Sequence, residues 1–141
     1  MLKREDIIRE TKTWIDVPYK HAGRDRFGID CIGPIIKVGH ALNIFTFDII
    51  NYSKRPTSNY LLSLMKQHMD RIKITDAKSG DVLVCREPRH PCHCGFLEIT
   101  KEGQRFFIHA YAPARKVVRE ALVRERDERV TLAFKYRGIA E

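Results

Sequence analysis

Two kinds of hydrophobic spacing divide this chain near residue 79. Before that point, apolar residues recur at helical spacing over residues 2–14, 35–42 and 61–72. After it, short apolar runs bounded by polar turns predict strands at 82–85, 92–100, 105–111, 116–121 and 130–136. Helices followed by consecutive strands predict an α+β fold, with N-terminal helices packed on a C-terminal antiparallel sheet.

The connections are predicted from glycine, proline and polar residues. Val17 precedes a proline and avoids the helical region, so the first helix ends there. Residues 19–30 and 87–91 are predicted as loops, and 43–59 as a long surface connection. Glu102-Gly103 is typical of a hairpin turn between the second and third strands.

Length and charge narrow the class of protein. With 141 residues we expect a single domain over 1–141. A formal net charge of +8 favours polyanionic partners, but the basic residues are spread along the chain. Because no zinc-finger spacing or aromatic-basic RNA motif occurs, no nucleic-acid partner is expected.

The sequence also bears on location. No apolar stretch approaches the roughly 20 residues that span a bilayer, so membrane insertion is not expected. Residues 1–6 lack the apolar core of a secretory signal, and we expect synthesis in the cytoplasm without a signal peptide. The four cysteines are therefore expected to be reduced thiols.

A cysteine stands where a helix is predicted to begin. Residues 27–34 read FGIDCIGP, and Cys31 directly precedes the apolar helical pattern, with Pro34 tolerated in the first turn. Unpaired backbone N–H groups at the start of a helix favour thiolate over thiol. Cys31 is thus a candidate nucleophile.

Two histidines offer the base that such a nucleophile needs. His93 and His109 lie in the second and third predicted strands. If these strands pair through the turn at 102–103, both rings lie near the same end of one hairpin, as base and orienting residue. The other histidines, expected in surface or loop positions, are His21, His40, His68 and His90.

Zinc binding is the competing chemistry. Cys85, Cys92 and Cys94 surround His93, but zinc-binding cysteine pairs usually have at least two residues between them. Strand alternation turns Cys92 and Cys94 away from His93, which favours buried apolar roles for these cysteines. We expect no metal and no cofactor.

At this point the chain resembles a known family. Residues 14–19 (WIDVPY) and 28–33 (GIDCIG) are similar to the nucleophile region of the NlpC-type cell-wall peptidases, a papain-like group. Residues 79–83 resemble the opening of that family's sheet. Residues 93–97 and 107–110 resemble the strands that carry its catalytic histidine and third polar residue.

The resemblance implies a papain-like fold and roles for five residues. Cys31 would be the nucleophile, His93 the general base and acid, and His109 the residue that orients His93. Tyr19 would line the site and assist the oxyanion. Asp30 would meet a free amino group of the substrate, although capping the helix competes for the same oxygens.

The implied activity is hydrolysis of amide bonds in peptidoglycan stem peptides by a Cys-His-His triad. The tail of the sequence is most similar to a phage or gene-transfer-particle branch, which implies phage-tail partners and action at the cell wall or periplasm. An inactive tail-assembly or wall-binding protein, acyl transfer to an amine or lipid, and a zinc-bearing interaction module remain alternatives. Ile32 and Pro34 depart from the family pattern, as does the missing second glycine near Gly23.

Overall fold

A computed structural model describes residues 1–48, 58–88 and 90–140. The helices are α1 (Arg4–Lys12), α2 (Gly33–Ala41), α3 (Ser58–His68) and α4 (Arg124–Asp127). The first strands are β1 (Arg24–Asp25), β2 (Gly28–Ile29), β3 (Asp70–Ile72) and β4 (Val82–Glu87). The others are β5 (His90–Ile99), β6 (Arg105–Tyr111), β7 (Lys116–Ala121) and β8 (Val130–Lys135).

Six strands form one antiparallel sheet in the order β3-β8-β4-β5-β6-β7. The remaining two, β1 and β2, pair as a separate antiparallel ribbon just before α2. The helices pack on the six-stranded sheet, which confirms the predicted α+β architecture. The longest helix among the described residues, α3, has 11 residues, and none could cross a membrane.

The main core lies between the helices and one face of the sheet. Ile7 of α1, Ile36 of α2 and Met65 of α3 contribute fully buried side chains to it. The sheet contributes residues at alternate positions, among them Val84, Cys94, Phe96, Ile108 and Phe134. Burying each large apolar side chain stabilises the fold by about 1.5–3 kcal/mol, so this layer holds the helices on the sheet.

The opposite face of the sheet has a smaller core. Leu83, Leu97 and Phe107 are buried there with Cys85 and Ala133. Beside this cluster, two-residue alternation places side chains of β5, β6 and β7 on the same face. The candidate histidines lie in this part of the sheet.

Residues 16–20, the bridging segment, join the ribbon to the sheet. On one side, the Tyr19 N–H donates to the carbonyl of Arg115, just before β7, at 2.9 Å. On the other side, the Lys20 N–H donates to the carbonyl of Ile29 in β2 at 3.0 Å. The loop before α2 is therefore fixed to the sheet by backbone hydrogen bonds.

Several predicted boundaries are wrong. The loop at 19–30 contains β1 and β2, because strands of two residues leave no alternating pattern. The third helix ends at His68, and Ile72 belongs to β3, which pairs with β8. The loop at 87–91 is shorter than predicted, since β4 runs to Glu87 and β5 begins at His90.

The predicted connection at 43–59 lies mostly outside the described residues, and α3 already begins at Ser58. The predicted hairpin turn at 102–103 occurs, with the Gly103 N–H donating to the Thr100 carbonyl at 2.9 Å. Gly103 has a φ of +86°, a conformation that glycine adopts without strain.

We predict that Gly95→Ala destabilises the protein by about 1–3 kcal/mol, the usual cost of overpacking. A Cβ on Gly95 would lie 2.6 Å from the Cβ of His109 and 2.7 Å from the Phe107 ring. Urea unfolding followed by circular dichroism would measure the change. An unchanged unfolding midpoint would contradict this account of the sheet.

Candidate active site

Cys31 lies between the ribbon and α2. Ile32 is the N-cap residue of α2, so Cys31 lies one residue before the cap and outside the first turn of the helix. The thiol is half-buried. Pro34 lies within the first turn, where its missing N–H leaves no hydrogen bond unmade.

The carboxylate of Asp30 holds this junction together. It accepts hydrogen bonds from the backbone N–H groups of Gly33, at 3.1 Å, and Ala22, at 2.9 Å. Arg24 pairs with it at 2.9 Å and also contacts Asp48 at 2.9 Å. Asp30 is 2% exposed, and this burial raises its pKa against the opposing effects of Arg24 and the two N–H groups. The geometry therefore favours the capping role over the substrate-binding role.

His93 and His109 are in direct contact. Nε2 of His93 lies 2.6 Å from Nδ1 of His109, and both residues are buried. The pairing of Phe96 with Ile108, continued by one residue, sets Gly95 opposite His109. Because Gly95 has no side chain, the His109 ring reaches diagonally toward His93.

The imidazole of His93 lies close enough to the Cys31 thiol to lower the pKa of that thiol. Since Nε2 of His93 faces His109, Nδ1 is the nitrogen left for the thiol. The structure thus brings together the three residues predicted to be catalytic, Cys31, His93 and His109.

Cys94 contacts the nucleophile as well. Its thiol donates a hydrogen bond to the carbonyl oxygen of Cys31 at 3.3 Å and lies beside the Cys31 sulfur. The neighbouring Cys94 thiol is the largest cause lowering the pKa of Cys31 to about 5, and His93 also lowers it, while burial opposes both. The pKa of Cys94 is raised well above its ordinary value, so Cys94 stays protonated and donates. The sequence prediction gave Cys94 only a buried apolar role.

A chain of charged residues continues beyond His109. Nε2 of His109 lies 2.7 Å from Oε1 of Glu120 on β7. Arg126 of α4 bonds Glu120 through Nη1 and Glu87 through Nε, the latter at 2.8 Å. The hydrogen bond from His109 is the main cause that lowers the pKa of Glu120 to about 2, and Arg126 adds to it.

Sequence reasoning gave no role to Glu120, Arg126 or Glu87. The pairing of β6 with β7 sets Phe107 opposite Glu120 and His109 opposite Val118. Glu120 is therefore a diagonal neighbour of His109, a relation that strand alternation could have suggested once the register was known. Arg126 lies on a four-residue helix with no periodic signal of its own.

Burial opposes the protonation of both histidines. It lowers the pKa of His93, against the raising effect of its contact with Cys31. It also lowers the pKa of His109, against the raising effect of Glu120. A protonated His93 is therefore favoured only beside a negative charge, such as the thiolate of Cys31.

Tyr19 is a half-buried neighbour of Cys31. Burial raises the pKa of its hydroxyl, and the charge of Cys31 adds to that effect. The hydroxyl is therefore a hydrogen-bond donor across the physiological range. The bridging segment sets its position.

Cys85, Cys92, His40 and His68 have other contacts, and the Cys85 thiol lies 3.9 Å from Oε1 of Glu87. Burial raises the pKa values of Cys85 and Cys92 to about 12, so both stay thiols. Nε2 of His40 lies 2.9 Å from the Phe47 carbonyl, and the His68 ring stacks on Phe47. The described residues contain no cluster of His, Cys, Asp and Glu able to hold a metal ion.

Comparisons with known proteins identify the fold. No protein-family model matches the chain, and no curated protein sequence matches it. Among solved structures, the NlpC/p60 domain of the peptidoglycan hydrolase SagA superposes with a TM-score of 0.65 at 21% identity. The match covers 95% of this chain and 99% of that domain.

Two longer proteins share the same fold. An NlpC/P60 family protein from Bacillus cereus gives a TM-score of 0.68 at 20% identity, over 94% of this chain and 40% of that one. An NLP/P60 family lipoprotein-like protein from Staphylococcus aureus gives a TM-score of 0.65 at 17% identity. That match covers 98% of this chain and 42% of the other protein. The chain thus has the fold of NlpC/p60 domains and spans less than half the length of these two proteins.

We predict that Cys94→Ala raises the pKa of Cys31 by about one unit, because a hydrogen bond to a charged group contributes about 1.5–3 kcal/mol. In the unchanged protein, Cys31 becomes a thiolate as the pH rises through about 5. The rate of alkylation by iodoacetamide should therefore rise with a midpoint near that pH, and the midpoint should move upward in the variant. Peptide mapping by mass spectrometry would assign the modified cysteine.

Cys85→Ala is the matched control, since it removes a buried thiol that lies in the other core cluster. Its alkylation profile should match that of the unchanged protein. An identical midpoint in Cys94→Ala and Cys85→Ala would refute the role given to Cys94.

Proposed function

We propose that this protein is a cysteine peptidase that hydrolyses amide bonds in peptidoglycan stem peptides. The observation that carries the proposal is the contact of a low-pKa thiol, Cys31, with the buried pair His93 and His109. The fold shared with NlpC/p60 domains, one of them from a peptidoglycan hydrolase, supports the choice of substrate.

In the proposed mechanism the Cys31 thiolate attacks the carbonyl carbon of the amide. Backbone N–H groups at the start of α2 and the Tyr19 hydroxyl stabilise the oxyanion that forms. His93, protonated at Nδ1, gives that proton to the leaving nitrogen, and the C–N bond breaks. An acyl-enzyme and a free amine result.

Water completes the cycle. His93, now neutral, takes a proton from the water, and the resulting hydroxide attacks the thioester carbonyl. The C–S bond breaks, the carboxylic acid leaves, and the thiolate and protonated His93 are restored. His109 orients His93 throughout, because its Nδ1 accepts the hydrogen bond from His93 Nε2.

We further propose, on the resemblance of the sequence alone, that the protein acts at the cell wall as part of a phage-like particle. Its net charge of +8 suits the anionic polymers of a bacterial wall. Immunoblotting of purified particles against the cytoplasmic fraction would test this. Protein found only in the cytoplasmic fraction would exclude it.

We predict that Cys31→Ala abolishes release of muropeptides from purified cell wall, because no other described thiol is positioned as a nucleophile. His93→Ala should lower the rate by about 10²–10⁴-fold, as expected for loss of a general acid and base. His109→Ala should cost less, about 10–100-fold, since the residue acts through His93. Chromatography with mass spectrometry would quantify the products.

Cys85→Ala provides the control for loss of a thiol, and its activity should remain close to that of the unchanged protein. Full activity in Cys31→Ala would end the proposal. An equal or reversed ranking of the two histidine variants would overturn the roles given to them.

The contacts of Asp30 make a prediction about specificity. Since Arg24 already neutralises this carboxylate, stem peptides with a free amino terminus and their N-acetylated forms should be cleaved at similar kcat/KM. Asp30→Asn should lower the thermal stability and leave that ratio near one. A strong preference for the free amine that disappears in Asp30→Asn would instead establish the substrate-binding role.

A further inference from the structure

We propose that Glu120 is a positioning residue of this site. Its carboxylate fixes His109 with the proton on Nε2, and Arg126 holds that carboxylate in place. The inference rests on the proposed function for its kinetic consequences only, since its effects on the ring protons and on the thiol need no substrate.

The arrangement of donors and acceptors follows from Glu120. Its pKa of about 2 makes it a carboxylate at any working pH, so it can only accept hydrogen bonds. The nitrogen 2.7 Å away, Nε2 of His109, must therefore carry a proton. In a neutral ring the other nitrogen, Nδ1, then has a free lone pair.

That lone pair sets the orientation of the neighbouring ring. Nε2 of His93 lies 2.6 Å from Nδ1 of His109 and must be the donor of this hydrogen bond. Nδ1 of His93 is then the basic nitrogen presented to the Cys31 thiol. One carboxylate thus determines the protonation of two rings and the direction in which a proton can move.

Arg126 balances the charge of the chain of hydrogen bonds that runs from Glu120 through His109 to His93. Its side chain is only 9% exposed, and it bonds Glu120 and Glu87 together. It lies over the rings of Tyr111, at 5.0 Å, and Phe107, at 5.6 Å. The charge of Arg126 opposes protonation of both histidines, and Glu120 offsets that charge.

Removing the carboxylate should have two effects. His109 would be free to place its proton on either nitrogen, so in part of the population Nδ1 would carry a proton and could not accept the hydrogen bond from His93. Arg126 would also be left with one partner fewer, and its positive charge would disfavour a protonated His93. Both effects weaken proton transfer and leave substrate binding unchanged.

The test is Glu120→Gln, which keeps the shape of the side chain and removes its charge. We expect kcat to fall about tenfold or more with KM unchanged, in the range found for residues that orient a catalytic group. The alkylation midpoint of Cys31 should move to higher pH. Nitrogen-15 NMR of the histidine rings should report a single Nε2–H form of His109 before the change and a mixture of the two forms after it.

Glu98→Gln is the matched control. Glu98 is likewise ion-paired with an arginine, Arg119, at 2.6 Å. Its partners Lys12 and Arg119 take no part in the chain from His93 to Glu87. This control should lose stability without moving the alkylation midpoint or the ring resonances. A Nδ1–H form of His109 in the unchanged protein, or equal effects of the two variants, would overturn the inference.

The double variant Glu120→Gln with Arg126→Met separates positioning from folding. If the unbalanced charge of Arg126 causes part of the upward shift of the alkylation midpoint in Glu120→Gln, removing that charge should reverse part of the shift. If Glu120 and Arg126 have only a structural role, the effects of the two substitutions on the alkylation midpoint should add. If the unchanged protein cleaves no wall material, the NMR and alkylation results still decide the inference, and the proposed function alone fails.

Discussion

The site depends on backbone hydrogen bonds that the bridging segment makes to two neighbours at once. Tyr19 and Cys31 come from the N-terminal part of the chain, whereas both histidines are on the central sheet. Residues 16–20 are bonded to the β7 edge on one side and to β2 on the other. Losing these backbone hydrogen bonds would be costly, so the pairing of residues 16–20 with both neighbours is fixed. This pairing sets the position of Cys31 relative to His93 and His109.

Buried charges stabilise this arrangement only as complete sets. Asp30 has Arg24 and two backbone N–H groups, and Arg126 has two carboxylates. Such pairs add little net stability, since the cost of removing them from water offsets their attraction. They do penalise wrong geometries, because breaking one partnership leaves a buried charge unpaired at a cost of about 3–5 kcal/mol.

Much of the fold could be predicted from the sequence, because periodicity reports burial. β6 and β7 occur at their predicted bounds, α1 falls within its predicted segment, and α2 begins two residues before its own. The ribbon of β1 and β2 could not be predicted, since two residues carry no period. The end of α3 was missed because Ile72 continues the helical spacing by chance into a strand.

The sequence predicts only those site residues whose type and position together indicate a catalytic role. A cysteine before a helix and two histidines in neighbouring strands are distinctive, and the structure brings them into contact. Glutamate and arginine are common on surfaces, so nothing in the sequence distinguishes Glu120 or Arg126 until the register of β6 with β7 is known. Cys94 was assigned to the core correctly, but its hydrogen bond to Cys31 depends on how the helices dock.

The position of Arg126 along the chain has a consequence for biosynthesis. Cys31 emerges from the ribosome before Cys94 and His93, which lower its pKa, and well before Arg126. Until those segments fold, the nucleophile is an ordinary thiol, mostly protonated at neutral pH. A reactive thiolate therefore arises only after the sheet and α4 have been made and have folded, which spares the nascent chain and its surroundings from premature acylation or alkylation.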